Sequence, residues 1–90
     1  MYLHLGQETV VTFDEIIGIF DLDTTTVSKI TRDYLKRAEL AGNVVNVSTE
    51  LPKSFTVCKD EKGKTTVYIS QISSSTLYKR TGYIQRLANI

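Results

Sequence analysis

Residues 54–72 read SFTVCKDEKGKTTVYISQI and contain the strongest structural signal in the chain. The runs 54–59 and 65–72 each alternate apolar and polar side chains, which is the period of a half-buried β-strand. The five residues between them are all charged except Gly63, a composition typical of a hairpin connection. This stretch therefore predicts an antiparallel β-hairpin.

Four further extended runs precede the hairpin in the sequence. Most are rich in β-branched and aromatic residues or alternate in polarity, as strands do. The third run is largely apolar, which favours a buried strand over a short uncapped helix, and Gly18 within it indicates a bulge or a close backbone approach. The predicted strands are residues 2–5, 9–13, 15–22 and 44–48.

Two helices are predicted. In the first, apolar residues recur every three or four positions, at Val27, Ile30, Tyr34, Leu35, Ala38 and Ala41. Residues 23–26, Asp-Thr-Thr-Thr, are predicted to cap its start, and Gly42 followed by Asn43 is typical of a left-handed helix end. The second helix begins at about Ser75, with residues 73–76 as candidate caps, and we expect Gly82 to fray it.

Together these elements predict a single α+β domain over residues 1–90. It has a small, mainly antiparallel sheet of about five strands, one central helix and a short C-terminal helix. A chain of 90 residues has a thin core, and self-association is a common supplement at this size. With one cysteine, no apolar run long enough to span a bilayer and no signal-peptide pattern at its start, we expect a cytoplasmic protein without membrane partners.

The formal net charge of +1 conceals an opposite polarity along the chain. Residues 1–23 contain five acidic residues and no Lys or Arg, a net charge of −5. Residues 51–90 contain seven basic and two acidic residues, a net charge of +5. Because local potential matters more than total charge, near-neutrality does not exclude nucleic acid as a partner. The same polarity suits head-to-tail self-association.

Catalytic and metal-binding constellations are sparse. His4 is the single histidine and Cys58 the single cysteine. A strand histidine at a sheet edge and a small buried cysteine are a simpler expectation than a Cys–His nucleophilic pair. One chain cannot supply the four ligands of a structural zinc site, and the glycine-rich phosphate-binding loops are missing. We therefore expect no enzyme activity, no metal and no cofactor.

Two basic clusters favour contact with phosphate. One lies in the loop before the hairpin and in the hairpin connection. The other follows residues 73–76, where hydroxyls and free backbone amides at a helix N-terminus attract anions. The simpler interpretation is a plain helix cap with solvated lysines and arginines. The candidates are Lys53, Lys79 and Arg80, with Lys62 and Lys64 as weaker ones.

Five blocks of the sequence, in the same order and spacing, resemble the extracellular matrix regulatory proteins of Gram-positive bacteria, the RemA/RemB family. The resemblance is closest to the RemB branch and extends from Met1 to about Tyr83. The blocks are MYLHLG at 1–6, Val-Val at 10–11, IGIFD at 17–21, PKS at 52–54 and SSSTLYKR at 73–80.

The resemblance implies a small cytoplasmic α+β protein that regulates transcription of biofilm-matrix genes. The RemA branch binds DNA without a helix-turn-helix and assembles into closed rings. By analogy we expect a homo-oligomer, in the form of a ring, that binds duplex DNA weakly through each protomer. Repetition of the basic surface would then multiply the contacts through effective concentration.

One departure from the RemA pattern affects the site. RemA-type proteins carry paired arginines in the loop before the C-terminal hairpin, whereas here residues 48–54 read STELPKS. The family's DNA contact can therefore be transferred only to Lys53, and Lys79 and Arg80 rest on the helix-terminus argument. An alternative is an oligomeric interaction module that acts with a partner protein, such as a paralogous regulator, without binding DNA.

Overall fold

The computed structural model describes residues 1–22 and 28–88, with side chains as far as Gly82. Its elements confirm the α+β class. In chain order they are β1 (Tyr2–Gly6), β2 (Thr9–Thr12), a 3₁₀ turn (Phe13–Glu15), β3 (Ile16–Asp21), α1 (Lys29–Leu40), β4 (Val44–Asn46), β5 (Ser54–Lys59), β6 (Thr65–Ser70) and α2 (Ser74–Ala88). No helix in these ranges is long and apolar enough to cross a bilayer.

The described strands form two sheets, so the expectation of one sheet of about five strands is wrong. β1 and β2 pair only with each other, and the larger sheet has the order β3–β5–β6–β4. The larger sheet is antiparallel except for the parallel pair β4–β6. β1 and β2 do not extend this sheet because their inward residues Leu3, Leu5 and Val11 pack onto its face.

Strand β5 of the larger sheet is buried on both faces, and its successive residues point to opposite sides. Phe55 and Val57 of β5 lie on the face that α1 covers with Leu35 and Ala38. On the opposite face, Cys58 packs in one cluster with residues of the β1–β2 hairpin and of α2; this cluster comprises Leu3, Leu5, Val11, Ile19, Val47, Cys58 and Leu77. The two helices therefore lie on opposite faces of the sheet.

Helix α1 has well-formed ends. The Ser28 hydroxyl accepts a hydrogen bond from the Thr31 amide at 3.1 Å. At the other end Gly42 has φ +77. Its amide donates to the Glu39 carbonyl, and the Asn43 amide donates to the Ala38 carbonyl. This geometry confirms the predicted left-handed helix end. The cap predicted at residues 23–26 and the apolar position at residue 27 lie outside the described residues.

Helix α2 is longer than expected. It begins at Ser74, one residue before the predicted start, and continues through Gly82 to Ala88. With 15 residues it exceeds the 12 of α1, so the expectation of a short, frayed helix is wrong. A glycine costs a helix only about 1 kcal/mol, and the fully buried Leu77 anchors this helix in the core.

Two glycines confirm the local predictions. Gly63 has φ +84 in the β5–β6 connection, where the Asp60 carboxylate accepts the amides of Lys62 and Lys64 at 2.9 Å each. The β3–β5 register shifts between Ile16 and Gly18, which is the predicted bulge. The Phe20 ring lies so close to Gly18 that a Cβ there would approach it to 2.7 Å.

Candidate nucleic-acid interface

Lys53 lies at the end of the sheet where β5 begins and β6 ends. Its backbone amide donates to the Ser70 carbonyl at 2.8 Å, and its carbonyl accepts the Leu22 amide at 2.9 Å. The backbone is therefore held between β6 and the residue after β3, while the side chain is exposed. This geometry presents one cation on a well-defined stretch of loop.

Buried serines hold the start of α2 at the same end of the sheet. The Ser54 hydroxyl donates to the Ile72 carbonyl at 2.6 Å, and the Ser70 hydroxyl donates to the Leu5 carbonyl. The Ser70 hydroxyl oxygen also accepts the Ile72 amide at 3.0 Å. Since Ser54 follows Lys53 directly, these bonds place Lys53 close to the residues that precede α2.

Of the candidate caps at residues 73–76, Ser73 caps α2. The Ser73 hydroxyl accepts the Thr76 amide at 3.3 Å, and it lies 2.9 Å from the Thr76 hydroxyl and 3.2 Å from that of Ser75. These contacts are those of a plain helix cap, which is the simpler interpretation of this segment. The first-turn amides of a helix lack intrahelical partners, so phosphate contact at this end stays a prediction.

Lys79 and Arg80 lie in the second turn of α2 and differ in their surroundings. Leu77 points into the core, and the Tyr78 hydroxyl donates to the Ile19 carbonyl of β3. On the other side of the helix, the Arg80 guanidinium donates through Nη1 to the His4 carbonyl of β1 at 3.0 Å. Lys79 lies between Tyr78 and Arg80 on the helix surface, and its side chain is exposed to solvent.

Lys62 and Lys64 lie apart from the other candidates. Both are exposed in the β5–β6 connection, whereas Lys53 precedes the opposite end of β5. A strand rises about 3.3 Å per residue, so roughly 20 Å separates the two ends. The structure thus brings Lys53 to the α2 end of the sheet and leaves Lys62 and Lys64 at the other.

The basic side of α1 is a further exposed cationic surface that the candidate residues do not include. Its four basic residues are exposed, and none of the helix residues is buried. The helical periodicity of the sequence already places these basic residues on one side of α1. A solvated helix face is the simpler interpretation of that pattern. These residues are Lys29, Arg32, Lys36 and Arg37.

His4 and Cys58 occupy different environments. His4 is exposed, and its Nε2 lies 2.6 Å from the Gln7 carbonyl oxygen. Cys58 is buried, and burial together with the Glu15 charge raises the pKa of its thiol to about 11. The thiol is therefore neutral near pH 7 and a poor nucleophile. Within the described ranges no three His, Cys, Asp or Glu side chains cluster to hold a metal ion.

Comparison with known proteins adds one clear relationship. No family model matches the chain. Over 84 residues, however, it is 37% identical to extracellular matrix regulatory protein B of Bacillus subtilis (strain 168), and the alignment covers 93% of this chain and 94% of that protein. The similarity thus spans the elements described above, from the β1–β2 hairpin to α2. The chain therefore belongs to the family of extracellular matrix regulatory protein B, the RemB type that its sequence resembles.

Proposed function

We propose that this protein is a DNA-associated transcriptional regulator of extracellular (biofilm) matrix genes that acts as an oligomer. Its membership in the family of extracellular matrix regulatory protein B supports the regulatory role. The observation that supports DNA contact is the arrangement of Lys53, Lys79 and Arg80. Although 26 residues of sequence separate Lys53 from Lys79, Lys53 lies at the sheet end where α2 begins.

Each protomer makes only a few backbone contacts with DNA in this proposal. Phosphate contacts set affinity and position without reading the base sequence. A protomer that neutralises three phosphates loses about 40-fold in affinity when salt rises from about 50 mM to about 200 mM. Assembly compensates for this weakness because linked basic surfaces bind as one multivalent particle.

Gel shifts with duplex DNA at these two salt concentrations test the proposal. The test variant carries Lys53→Glu, Lys79→Glu and Arg80→Glu. The matched control carries Lys59→Glu, Lys62→Glu and Lys64→Glu, which reverse three exposed charges at the other end of β5. It also tests the weaker candidates Lys62 and Lys64, which this proposal leaves out of the contact surface. We expect the test variant to lose binding at low salt and the control to retain more than half of the wild-type affinity.

Two outcomes contradict DNA contact at this surface. One is the absence of any shift by the wild-type protein at low salt. The other is equal loss of affinity in the test variant and the control, because a nonspecific charge effect would then explain both.

A second candidate is an oligomeric interaction module that acts with a partner regulator and does not bind DNA. The Arg80–His4 bond favours it, because that bond already uses one guanidinium donor within the chain. Exposed apolar side chains on α1, Ile30 and Leu40, also favour contact with protein. A partner captured by pull-down after nuclease treatment, with no gel shift by the purified protein, would select this function.

A further inference from the structure

A shallow apolar groove runs between the edge strand β3 and helix α2. It encloses about 280 Å³ and is lined by Phe13, Ile16, Ile17, Gly18, Ile19, Tyr78 and Thr81. Ile17 is 61% exposed and Tyr78 is 54% exposed. Apolar side chains this exposed in one groove are typical of a surface that binds protein.

The groove has acidic neighbours. Asp14 and Glu15 lie in the 3₁₀ turn between the lining residues Phe13 and Ile16, and Asp14 is exposed. Residues 1–22 contain no Lys or Arg. On the α2 side, Lys79 follows the lining residue Tyr78 and is exposed, whereas the Arg80 guanidinium is directed to the His4 carbonyl of β1. A segment that binds here would therefore combine apolar side chains with positive charge.

Helix α1 offers that combination on its exposed side. Ile30 and Leu40 are each 80% exposed, and Tyr34 lies one turn after Ile30. A surface depression beside Leu40 is lined by Lys36 and Arg37 and by one acidic residue, Asp33. The helix contains four basic and two acidic residues, so this apolar surface has a net positive charge.

We infer that α1 of one protomer docks in the β3–α2 groove of a second copy of the chain. The groove lies on the sheet face that α2 covers, whereas α1 packs on the opposite face. A protomer therefore cannot fill its own groove with its own helix. Contact between two grooves would bring acidic residues together, whereas groove and helix are complementary in charge.

The inferred contact is heterologous, since each protomer offers a groove to one neighbour and a helix to another. Such contacts generate rings when the rotation closes. The inference rests on the oligomeric part of the proposed function and names its interface. It does not depend on DNA binding, which uses other side chains.

The experiment mixes two variants that each lack one half of the contact. Ile17→Glu places a charge in the groove, and Leu40→Glu places one on the helix. Each variant alone should associate at least about tenfold more weakly than the wild type, because its single defect recurs at every contact. Their mixture retains one intact pair of surfaces, so it should form heterodimers of twice the 10.1 kDa chain mass and no larger particle.

Sedimentation equilibrium without DNA gives the masses, and circular dichroism confirms folding. Leu51→Glu is the matched control, because Leu51 is 79% exposed and belongs to neither surface. The control should assemble like the wild type. Ile17→Thr and Leu40→Gln repeat the test with changes that respect strand and helix propensity.

Three results would overturn the inference. The first is a monomeric wild type at about 100 μM, a concentration at which even a weak interface associates. The second is a variant mixture that stays monomeric, and the third is equal dissociation by Leu51→Glu. Each is measured without DNA, so a gel shift by the same preparations reports on DNA binding separately.

Discussion

Three hydroxyl side chains, Ser54, Thr56 and Ser70, are almost completely buried in the larger sheet. The two serines donate to the carbonyls of Ile72 and Leu5, which belong to other parts of the chain. Among the residues that the structure describes, the Thr56 hydroxyl has no hydrogen-bond partner. The paired hydroxyls of Ser54 and Ser70 therefore stabilise the fold. The unpaired hydroxyl of Thr56 destabilises it, because nothing offsets the cost of removing it from water.

Thr56→Val should raise the free energy of unfolding by about 1 kcal/mol, since it replaces the unpaired hydroxyl with a methyl group of similar size. Ser70→Ala should lower it by about 1 to 3 kcal/mol, because the Leu5 carbonyl and the Ile72 amide both lose their partner. Urea denaturation of the two variants measures both effects. A stability loss in Thr56→Val comparable to that in Ser70→Ala would show that Thr56 has a bonding role.

The buried Cys58 thiol makes the free energy of unfolding depend on pH in the alkaline range. In the fold the pKa of its thiol is about 11, above the ordinary value of 9.0, because burial disfavours the thiolate. The protonated thiol contributes its full stability below pH 9, and that contribution falls as the pH rises towards 11. At about pH 10.5 the loss amounts to about 2 kcal/mol.

Urea unfolding at about pH 8 and about pH 10.5 tests this dependence against Cys58→Ala. The variant should be less stable than the wild type at the lower pH, because it leaves a small cavity. It should lose less stability between the two pH values, because it has no thiol to ionise. Equal losses in both proteins would contradict a buried, proton-holding Cys58.

At the scale of elements, glycines at a helix end and inside a helix make opposite contributions. Gly42 adopts φ +77 at the end of α1, and a Cβ added there would meet nothing within 4 Å. Gly82 also has open space around it, but it lies inside α2 without a positive φ. The two positions therefore differ in backbone conformation and not in packing.

Gly42→Ala should lower the free energy of unfolding by about 1 kcal/mol, because an L-residue is strained in the left-handed region. Gly82→Ala should raise it by about 0.5 to 1 kcal/mol, because alanine loses less backbone entropy in a helix. Thermal and urea unfolding measure the two changes in parallel. A change of the same sign in both variants would contradict this account.

The elements that the sequence predicted well are those encoded by neighbouring residues. The β5–β6 hairpin, the bulge at Gly18 and the left-handed end at Gly42 all follow from residue types a few positions apart. The parallel pairing of β4 with β6 and the separation of β1–β2 into their own sheet did not follow. Those features depend on packing between apolar faces of elements that are far apart in the sequence.

For the candidate interface, the sequence identified exposed cations but not their grouping. Arg80 and His4 are 76 residues apart, and Tyr78 and Ile19 are 59 apart, so no local pattern indicates these contacts. The distance between Lys62 and Lys53 could be predicted from the sequence. In the predicted hairpin these two residues lie at opposite ends of β5. Long-range packing of α2 was the missing information.

At the scale of the whole molecule, the first strand and the last helix meet in one of the two hydrophobic clusters. Leu3 and Leu5 of β1 are buried in the same cluster as Leu77 of α2. The Ser70–Leu5 bond spans 65 residues, so this cluster forms only when distant parts of the chain meet. Proteins dominated by such contacts fold slowly, because loop closure precedes the gain from packing.

The packing of β1 against α2 has a consequence for how the protein folds during its synthesis. During synthesis the first hairpin emerges long before the helix that covers it, and its leucines have no surface on which to pack. We therefore expect the cluster that contains Leu3, Leu5 and Leu77 to be completed only after the residues of α2 have left the ribosome. A protomer stalled before α2 would expose Leu3 and Leu5 and become a target for chaperones and proteases.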